Sequence, residues 1–192
     1  MRLTGMILVG LLFAAGAAEA ATPFSVQECR DEGFSIESPV PLVKGTGTYR
    51  GAVAGVLQTT TYSGELDNIR YTVSIVDISN RIPEAVNLYL EMEFLSTNGV
   101  NLLGDENVGI EPGANRHYGR QLVYETKDGS LVRKSLIYNK GKIYVAEAAI
   151  LPGGDKQSIA PERFTDSILF DLDGAVRDRC NDPNNFNPAD LK

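Results

Sequence analysis

The chain has 192 residues, of which 43% are hydrophobic, and its 25 acidic and 18 basic side chains give a formal charge of −7. This length suits one domain of ordinary size, and the apolar content is too high for a disordered chain. The acidic balance disfavours binding to nucleic acid or to an anionic membrane surface, because both partners require a basic face.

Residues 1–20 have the pattern of a cleaved export signal. Arg2 precedes a short apolar stretch, and Ala18-Glu19-Ala20 places small residues where signal peptidase cuts. A membrane anchor is the weaker interpretation, because the stretch is shorter than the roughly 20 residues that span a bilayer. We therefore expect a secreted or periplasmic bacterial protein with one domain over 21–180 and no membrane span.

Two cysteines, Cys29 and Cys180, lie near the two ends of the mature chain. They are too few for a four-ligand zinc site and too far apart for a Cys-x-x-Cys redox motif. Exported proteins meet an oxidising environment, which favours one disulfide that ties the start of the domain to its end. Two free thiols or a bond between two molecules are the alternatives.

Three strands are predicted at the start of the domain. Phe34 to Glu37 alternates apolar and polar residues, Val56 to Tyr62 is β-branched and aromatic, and Ile69 to Ile75 alternates with a period of two. The glycines from Gly45 to Gly55 indicate a loose connection between the first two strands.

A long helix is predicted over 83–98. Pro83 suits a first helical position, and Asn98-Gly99 suits the end of a helix. An acidic polar face disfavours a membrane-surface helix, so we expect this helix to pack on the sheet. Its broad apolar arc consists of Ala85, Val86, Leu88, Tyr89, Leu90, Met92, Phe94 and Leu95.

The second half of the domain is predicted to be mainly antiparallel strands. Scattered glycines and Pro112 make 100–116 a loop in this prediction. Asp128-Gly129 and Asn139-Lys140-Gly141 are hairpin-turn sequences, so the strands that they join must be antiparallel neighbours. The remaining predicted elements are strands over 118–126, 130–138 and 142–151, a short helix over 158–168, a last strand from Leu169-Phe170 and a disordered tail over 181–192.

Several short segments resemble the PsbP-like family of small exported α/β/α sandwich proteins. The similar segments are Gly119-Arg120, the hairpins at Asp128-Gly129 and at Gly141-Lys142-Ile143-Tyr144, and the helix from Ala160-Pro161-Glu162 to Asp166-Ser167-Ile168. The resemblance covers about residues 34–172. It implies an α+β domain with an antiparallel sheet of about six or seven strands, one long helix and one short C-terminal helix. Because members are mostly non-catalytic assembly, binding or accessory proteins, the resemblance implies no active site.

The residues give little indication of catalysis or of a cofactor. His117 is the only histidine, so any Ser-His-Asp set or histidine metal ligand would have to use it, and a surface or structural histidine is the stronger interpretation. Asp105, Glu106 and Glu111 lack regular ligand spacing, and Asp171-x-Asp173-Gly174 lacks the later ligands of a calcium loop. We therefore predict no metal, no cofactor and no assigned catalytic residue, although folding could still bring two carboxylates together.

Tyrosines and arginines in the predicted strands form the one candidate binding face. Tyrosine is favoured both in sheets and at binding surfaces, so ordinary sheet packing is the competing interpretation. Whether these side chains share a face depends on the strand register, which the sequence does not specify. The candidates are Arg70, Tyr71, Tyr118, Arg120, Tyr124 and Arg133.

Two classes of function remain. The first is an exported, non-enzymatic accessory or binding protein of the periplasm or cell envelope, with an unknown protein or small molecule as partner. The second is a secreted hydrolase or lyase that uses carboxylates with or without His117. A concave pocket with converging polar groups would favour the enzyme, and a closed core with a flat surface would favour a protein-binding role.

The disulfide gives the first testable prediction. A bond between Cys29 and Cys180 closes a long loop, so reduction should destabilise the mature protein, by about 5 kcal/mol in the chain-entropy model. The expected result is a shift in non-reducing gel mobility and a lower melting temperature on adding a reductant. Unchanged mobility and melting temperature would exclude the bond.

Overall fold

The computed structural model describes residues 23–51, 55–79, 100–110 and 117–170. Within these ranges the chain forms ten strands, one 3-10 turn at Arg30–Glu32 and one α-helix. The elements are β1 Ser25–Cys29, β2 Phe34–Ser38, β3 Val43–Gly51, β4 Gly55–Leu66, β5 Ile69–Asp77, β6 Asn101–Ile110, β7 His117–Glu125, β8 Leu131–Asn139, β9 Lys142–Ile150, α1 Ala160–Asp166 and β10 Leu169–Phe170.

Seven strands form one antiparallel sheet in the order β3-β4-β5-β9-β8-β7-β6. The predicted meander of β7, β8 and β9 is confirmed, and both of its turns use a glycine with positive φ, 87° at Gly129 and 83° at Gly141. A positive φ is the conformation that glycine supplies at no steric cost, which is why these two turns could be read from the sequence. The short helix and the last strand are also where the sequence predicts them.

Two edge strands correct the predicted connections. The glycine-rich segment from Gly45 is β3, and residues 101–110 of the predicted loop are β6. Gly45 and Gly47 obscure the strand pattern, yet a Cβ at Gly47 would lie only 2.8 Å from the hydroxyl oxygen of Thr59 on β4. The alternation of β6 is broken by a shift in register between Leu102 and Gly104. The glycines of β3 and the register shift of β6 thus hide two edge strands in the sequence.

A second, small sheet corrects the predicted place of the first strand. Phe34–Ser38 does not belong to the same sheet as the strands over 55–66 and 69–77. It is the middle strand of a three-stranded sheet with the order β1-β2-β10. Its inward side chains, Phe34 and Ile36, are fully buried against the larger sheet. We call the face of the seven-stranded sheet that packs on the small sheet and α1 the inner face.

The other face of the seven-stranded sheet, the outer face, carries a second buried apolar cluster. Strand alternation places Val76, Leu122, Leu136 and Val145 there, with exposures between 0% and 8%. A sheet with apolar residues on both faces is typical of a middle layer. The predicted helix over 83–98 lies outside the described residues, as do the export signal, the tail, Cys180, Glu111 and Asp171 to Gly174.

In the described part of the chain, no helix has the length and apolar character needed to cross a membrane.

The helix α1 has seven residues and begins with Ala160-Pro161, where the missing N–H of proline costs no hydrogen bond. It places Phe164 and Thr165 in the interior, and Glu37 of β2 donates its backbone N–H to the hydroxyl of Ser167 at 2.9 Å. The helix is therefore fixed to both sheets.

Phe164 gives a test of this packing. Its side chain is fully buried, and its ring lies edge-on to Tyr71 with the centroids 5.1 Å apart. Phe164→Ala should lower the free energy of unfolding by about 3–5 kcal/mol, because it leaves a cavity between the sheet and α1. Ile159→Ala is the control, since Ile159 is 77% exposed and its truncation should cost about 0.5 kcal/mol or less. Equal denaturation midpoints for the two variants would contradict the packing.

Candidate functional site

A cleft opens at one end of the molecule, where the β4–β5 turn, the connection from β9 to α1 and the start of β1 meet. Its volume is about 570 Å³, which lies within the range of clefts that hold small molecules. Its lining consists of apolar Phe24, Pro39, Leu66, Ile69, Tyr71, Ile159 and Ala160, polar Asp67, Asn68, Asp155, Ser158 and Arg163, and the glycines Gly153 and Gly154.

One wall of the cleft is the turn between β4 and β5. Its central residues, Asp67 and Asn68, have left-handed backbones with φ of 52° and 59°. Aspartate and asparagine tolerate this conformation better than other residues with a side chain. The backbone N–H of Leu151 donates to the carbonyl oxygen of Asn68 at 2.8 Å, which fixes the turn to the end of β9. The side chains of Asp67 and Asn68 are exposed at the mouth.

The facing wall is the connection from β9 to α1. A Cβ at Gly154 would lie 2.7 Å from Cγ2 of Ile150 and 3.2 Å from the carbonyl oxygen of Asn68, so only glycine lets the connection lie this close to the turn. Asp155 follows, and its Oδ1 accepts the backbone N–H of Gln157 at 2.9 Å. This bond holds the exposed carboxylate of Asp155 at the mouth of the cleft.

The floor of the cleft is apolar except for one hydroxyl. Tyr71 is 2% exposed and lines the cleft, with its ring packed on Phe164. Within the described ranges its hydroxyl makes no hydrogen bond, and the hydroxyl oxygen is open to solvent in the cleft rather than fully enclosed. Burial raises the pKa of Tyr71 to about 12, and the carboxylate of Asp67 adds to the rise. The floor thus carries a neutral hydroxyl available to a ligand.

Among the described residues that line the cleft, Arg163 is the one cation, and it is already engaged. The guanidinium of Arg163 forms an ion pair with Glu37 at 2.7 Å and lies over the ring of Phe24, 4.4 Å from its centroid. No ion pair is made by Asp67 or Asp155 to any residue that the structure describes. The charge that the cleft offers to a ligand is therefore negative.

The six residues of the predicted binding face are divided between the two faces of the sheet. The register places Tyr71 and Arg133 opposite Ala148, on the inner face. Only Tyr71 of the six lines the cleft, and no single surface assembles the set. Arg70, Arg120 and Tyr124 lie on the outer face. Tyr118 lies on β7, the strand that also carries Arg120 and Tyr124.

The arginines of that set are held by carboxylates within the chain. Hydrogen bonds from Arg120 lower the pKa of Asp105 below its ordinary value. Arg120 pairs with Asp105 at 2.6 Å and Arg133 with Asp166 at 3.2 Å, which links β7 to β6 and β8 to α1 and leaves these two guanidinium groups little freedom to bind a ligand. Arg70 lies 3.5 Å from Glu65, but both side chains are more than half exposed, so this pair holds Arg70 only weakly.

The residues considered for catalysis or metal binding are not gathered in the cleft. His117 begins β7, and Asp105 is engaged by Arg120. Glu106 is exposed on β6, one residue further along the strand. Across the described ranges, no group of three or more His, Cys, Asp or Glu side chains is placed to hold a metal ion.

The walls of the cleft were not identified as a site from the sequence. The chain around Asp67 and around Gly153 is recognisable only as turns, and Phe24 carries no pattern of its own. Residues 69 and 150 are opposite one another in the ladder between β5 and β9, which is what brings the two turns together. Aspartate in two turns is a weak signal until that pairing is known.

Comparisons with known proteins find similarity only among solved structures. Neither a protein-family model nor a curated protein matches it. The solution structure of cyanobacterial PsbP from Synechocystis is similar, with a TM-score of 0.46 and 12% identity over 82% of this chain and 98% of that chain. A Pseudomonas aeruginosa protein of unknown function is similar with a TM-score of 0.35 and 13% identity over 68% of this chain and 84% of that chain. The resemblance to PsbP-like proteins is a match at the level of the fold and at low identity, and it transfers no function.

The raised pKa of Tyr71 predicts a loss of stability in alkali. A folded-state pKa of about 12 lies above the ordinary value of 10.0, so the stabilisation is present below pH 10 and is lost between about pH 10 and 12. Tyr71→Phe should remove about 2–3 kcal/mol of this pH dependence while leaving stability near pH 7 little changed. Denaturant midpoints from pH 9 to 12 test this, because the other titrating groups are common to both proteins. Parallel pH profiles would contradict it.

Proposed function

We propose that the chain is an exported, non-enzymatic binding or accessory protein of the periplasm or cell envelope, and that the cleft holds its ligand. One observation carries this proposal: the cleft combines a buried apolar floor with a few polar groups held at its mouth. Ligand sites commonly have this composition, in which apolar contact supplies affinity and a few polar groups fix orientation. The cleft favours a small molecule, or a short segment of a larger partner, over a flat protein interface.

The proposed location agrees with how the domain begins. Residues 1–20 have the composition of an export signal, and Cys29, the first cysteine after them, is fully buried in the core cluster. A buried cysteine near the start of an exported domain suits the disulfide to Cys180, which would form in an oxidising compartment. A domain closed by this disulfide would hold the cleft in a fixed geometry outside the cytoplasm.

A hydrolase or lyase is the second candidate, and one observation favours it. Asp67 and Asp155 line opposite walls of the same concave cleft, which is the pocket that such an enzyme would need. We rank it second because both carboxylates are exposed, whereas a carboxylic acid that donates a proton near pH 7 is commonly held in an apolar site. Among the described residues, the cleft lining also contains no histidine and no cysteine.

The test uses the fact that the chain contains no tryptophan. Ile159→Trp places a single fluorophore on the rim of the cleft, and Val43→Trp places one on β3, at another exposed aliphatic position. The mature protein is first screened by thermal shift against metals, small metabolites and lipids. A saturating ligand should raise the melting temperature by roughly 5–10 °C.

Compounds that stabilise the protein are then titrated into both tryptophan variants. The proposal expects a saturable change in emission for Ile159→Trp and none for Val43→Trp. A response confined to Val43→Trp would place binding elsewhere. Turnover of a substrate by the pure protein, abolished by Asp67→Asn, Asp155→Asn or His117→Ala, would replace the proposal with the hydrolase or lyase.

A further inference from the structure

We infer that the cleft selects ligands in which a protonated amine is attached to an apolar body. The inference rests on the proposed function and specifies the ligand of the same cleft. It follows from three independent features of the lining: the charge at the mouth, the hydroxyl in the floor and the apolar surface between them.

The charge at the mouth is the first feature. Asp67 comes from the β4–β5 turn and Asp155 from the facing connection, so two carboxylates flank the opening from opposite sides. Arg163 does not neutralise them, because its guanidinium is paired with Glu37 and stacked on Phe24. A ligand carboxylate or phosphate would be repelled here, whereas a cation would be attracted.

The hydroxyl in the floor is the second feature. Tyr71 is 2% exposed and lines the cleft, and its hydroxyl makes no hydrogen bond to any described residue. Because this hydroxyl opens into the cleft, a ligand group there can replace water as its hydrogen-bond partner. The neutral hydroxyl can accept a hydrogen bond from an ammonium N–H, whose other protons remain for the carboxylates.

The apolar surface is the third feature. Phe24 and Ile69 are each 4% exposed and line the cleft together with Leu66 and the ring of Tyr71. A bare metal ion or a small polyhydroxy compound would leave this surface without a partner. An amine on an aromatic or aliphatic body uses the charge, the hydroxyl and the apolar floor at once. A free amine and the amino group of a peptide share this chemistry.

The experiment compares three probes with the same apolar body: phenethylamine, 2-phenylethanol and 3-phenylpropionate. Each is titrated into Ile159→Trp protein, with Val43→Trp protein as the control for binding elsewhere. We expect phenethylamine to bind at least about tenfold more tightly than the alcohol or the carboxylate. Raising the salt concentration should weaken the binding of the amine but not that of the alcohol, because only the binding of the amine depends on charge.

Substitutions in the Ile159→Trp background assign the effect to residues. Asp67→Asn and Asp155→Asn keep the turn conformation and the side-chain oxygen that accepts the N–H of Gln157, and each should weaken amine binding about threefold. Tyr71→Phe should weaken it by a similar factor. Asp31→Asn is the matched control, because Asp31 is exposed on the 3-10 turn and does not line the cleft.

The outcomes separate this inference from the proposed function. Binding of the alcohol or the carboxylate as tightly as the amine would overturn the inference and leave the cleft as a ligand site. The inference also fails if no probe binds at about 10 mM, or if calcium chloride displaces the amine at lower concentration. If compounds from the thermal screen never move the emission of Ile159→Trp, the proposed function fails as well.

A peptide arm identifies the source of the amine. The tripeptide Leu-Phe-Gly amide is compared with its N-acetylated form, which lacks the charge but keeps the apolar body. Tighter binding of the free tripeptide than of phenethylamine indicates a peptide amino group. Weaker binding of both tripeptides than of phenethylamine indicates a small free amine. Equal binding of the two tripeptides, at least as tight as that of phenethylamine, would count against the inference, because the amino group would then contribute nothing.

Discussion

The pairing of β5 with β9 is the constraint on which the rest of the structure depends. These strands are far apart in sequence, yet they run side by side through the centre of the seven-stranded sheet, from Ile69 opposite Ile150 to Asp77 opposite Lys142. This ladder joins the hairpins of the first half to the meander of the second half. It also determines the position of the cleft, because the β4–β5 turn and the end of β9 lie side by side at the same end of the sheet only in this register. A slip by one residue would turn Tyr71 to the outer face.

Tyr71 contributes to the interior and to the cleft at once. Its ring packs edge-on against Phe164, whereas its hydroxyl lines the cleft and makes no hydrogen bond to any described residue. Phenylalanine would fill the same space, so packing alone does not require the hydroxyl. Because that hydroxyl opens into a cleft rather than into the closed interior, it is the group of Tyr71 that the proposed ligand would contact.

The sequence predicts the parts of the fold that local chemistry controls. Asp128-Gly129 and Lys140-Gly141 demand tight turns, so three antiparallel strands follow from them alone. Pro161 near a helix start and the alternation of β5 are equally local. At β3, by contrast, Gly47 permits the close approach to Thr59 of β4. The reason for a glycine in this strand is therefore known only once the neighbouring strand is known.

The placement of β2 and of the candidate site lies beyond local chemistry for a related reason. A short alternating segment such as Phe34–Ser38 can join any sheet that offers an apolar face, and tertiary packing chose the small one. Likewise Arg120 and Arg133 look alike in sequence, but the register sends them to opposite faces. Candidate residues for binding can be listed from a sequence, but a surface requires the pairing of strands.

The carboxylates of the described ranges differ in whether a cation holds them. Many cationic side chains there are committed to pairs within the chain, such as Lys134 with Glu147 at 3.0 Å and Lys142 with Glu32 at 3.1 Å. Asp67 and Asp155 make no such pair with a described residue, and both line the cleft. The proposed preference for a cationic ligand therefore depends on where these two carboxylates lie, and not on the net charge of the chain.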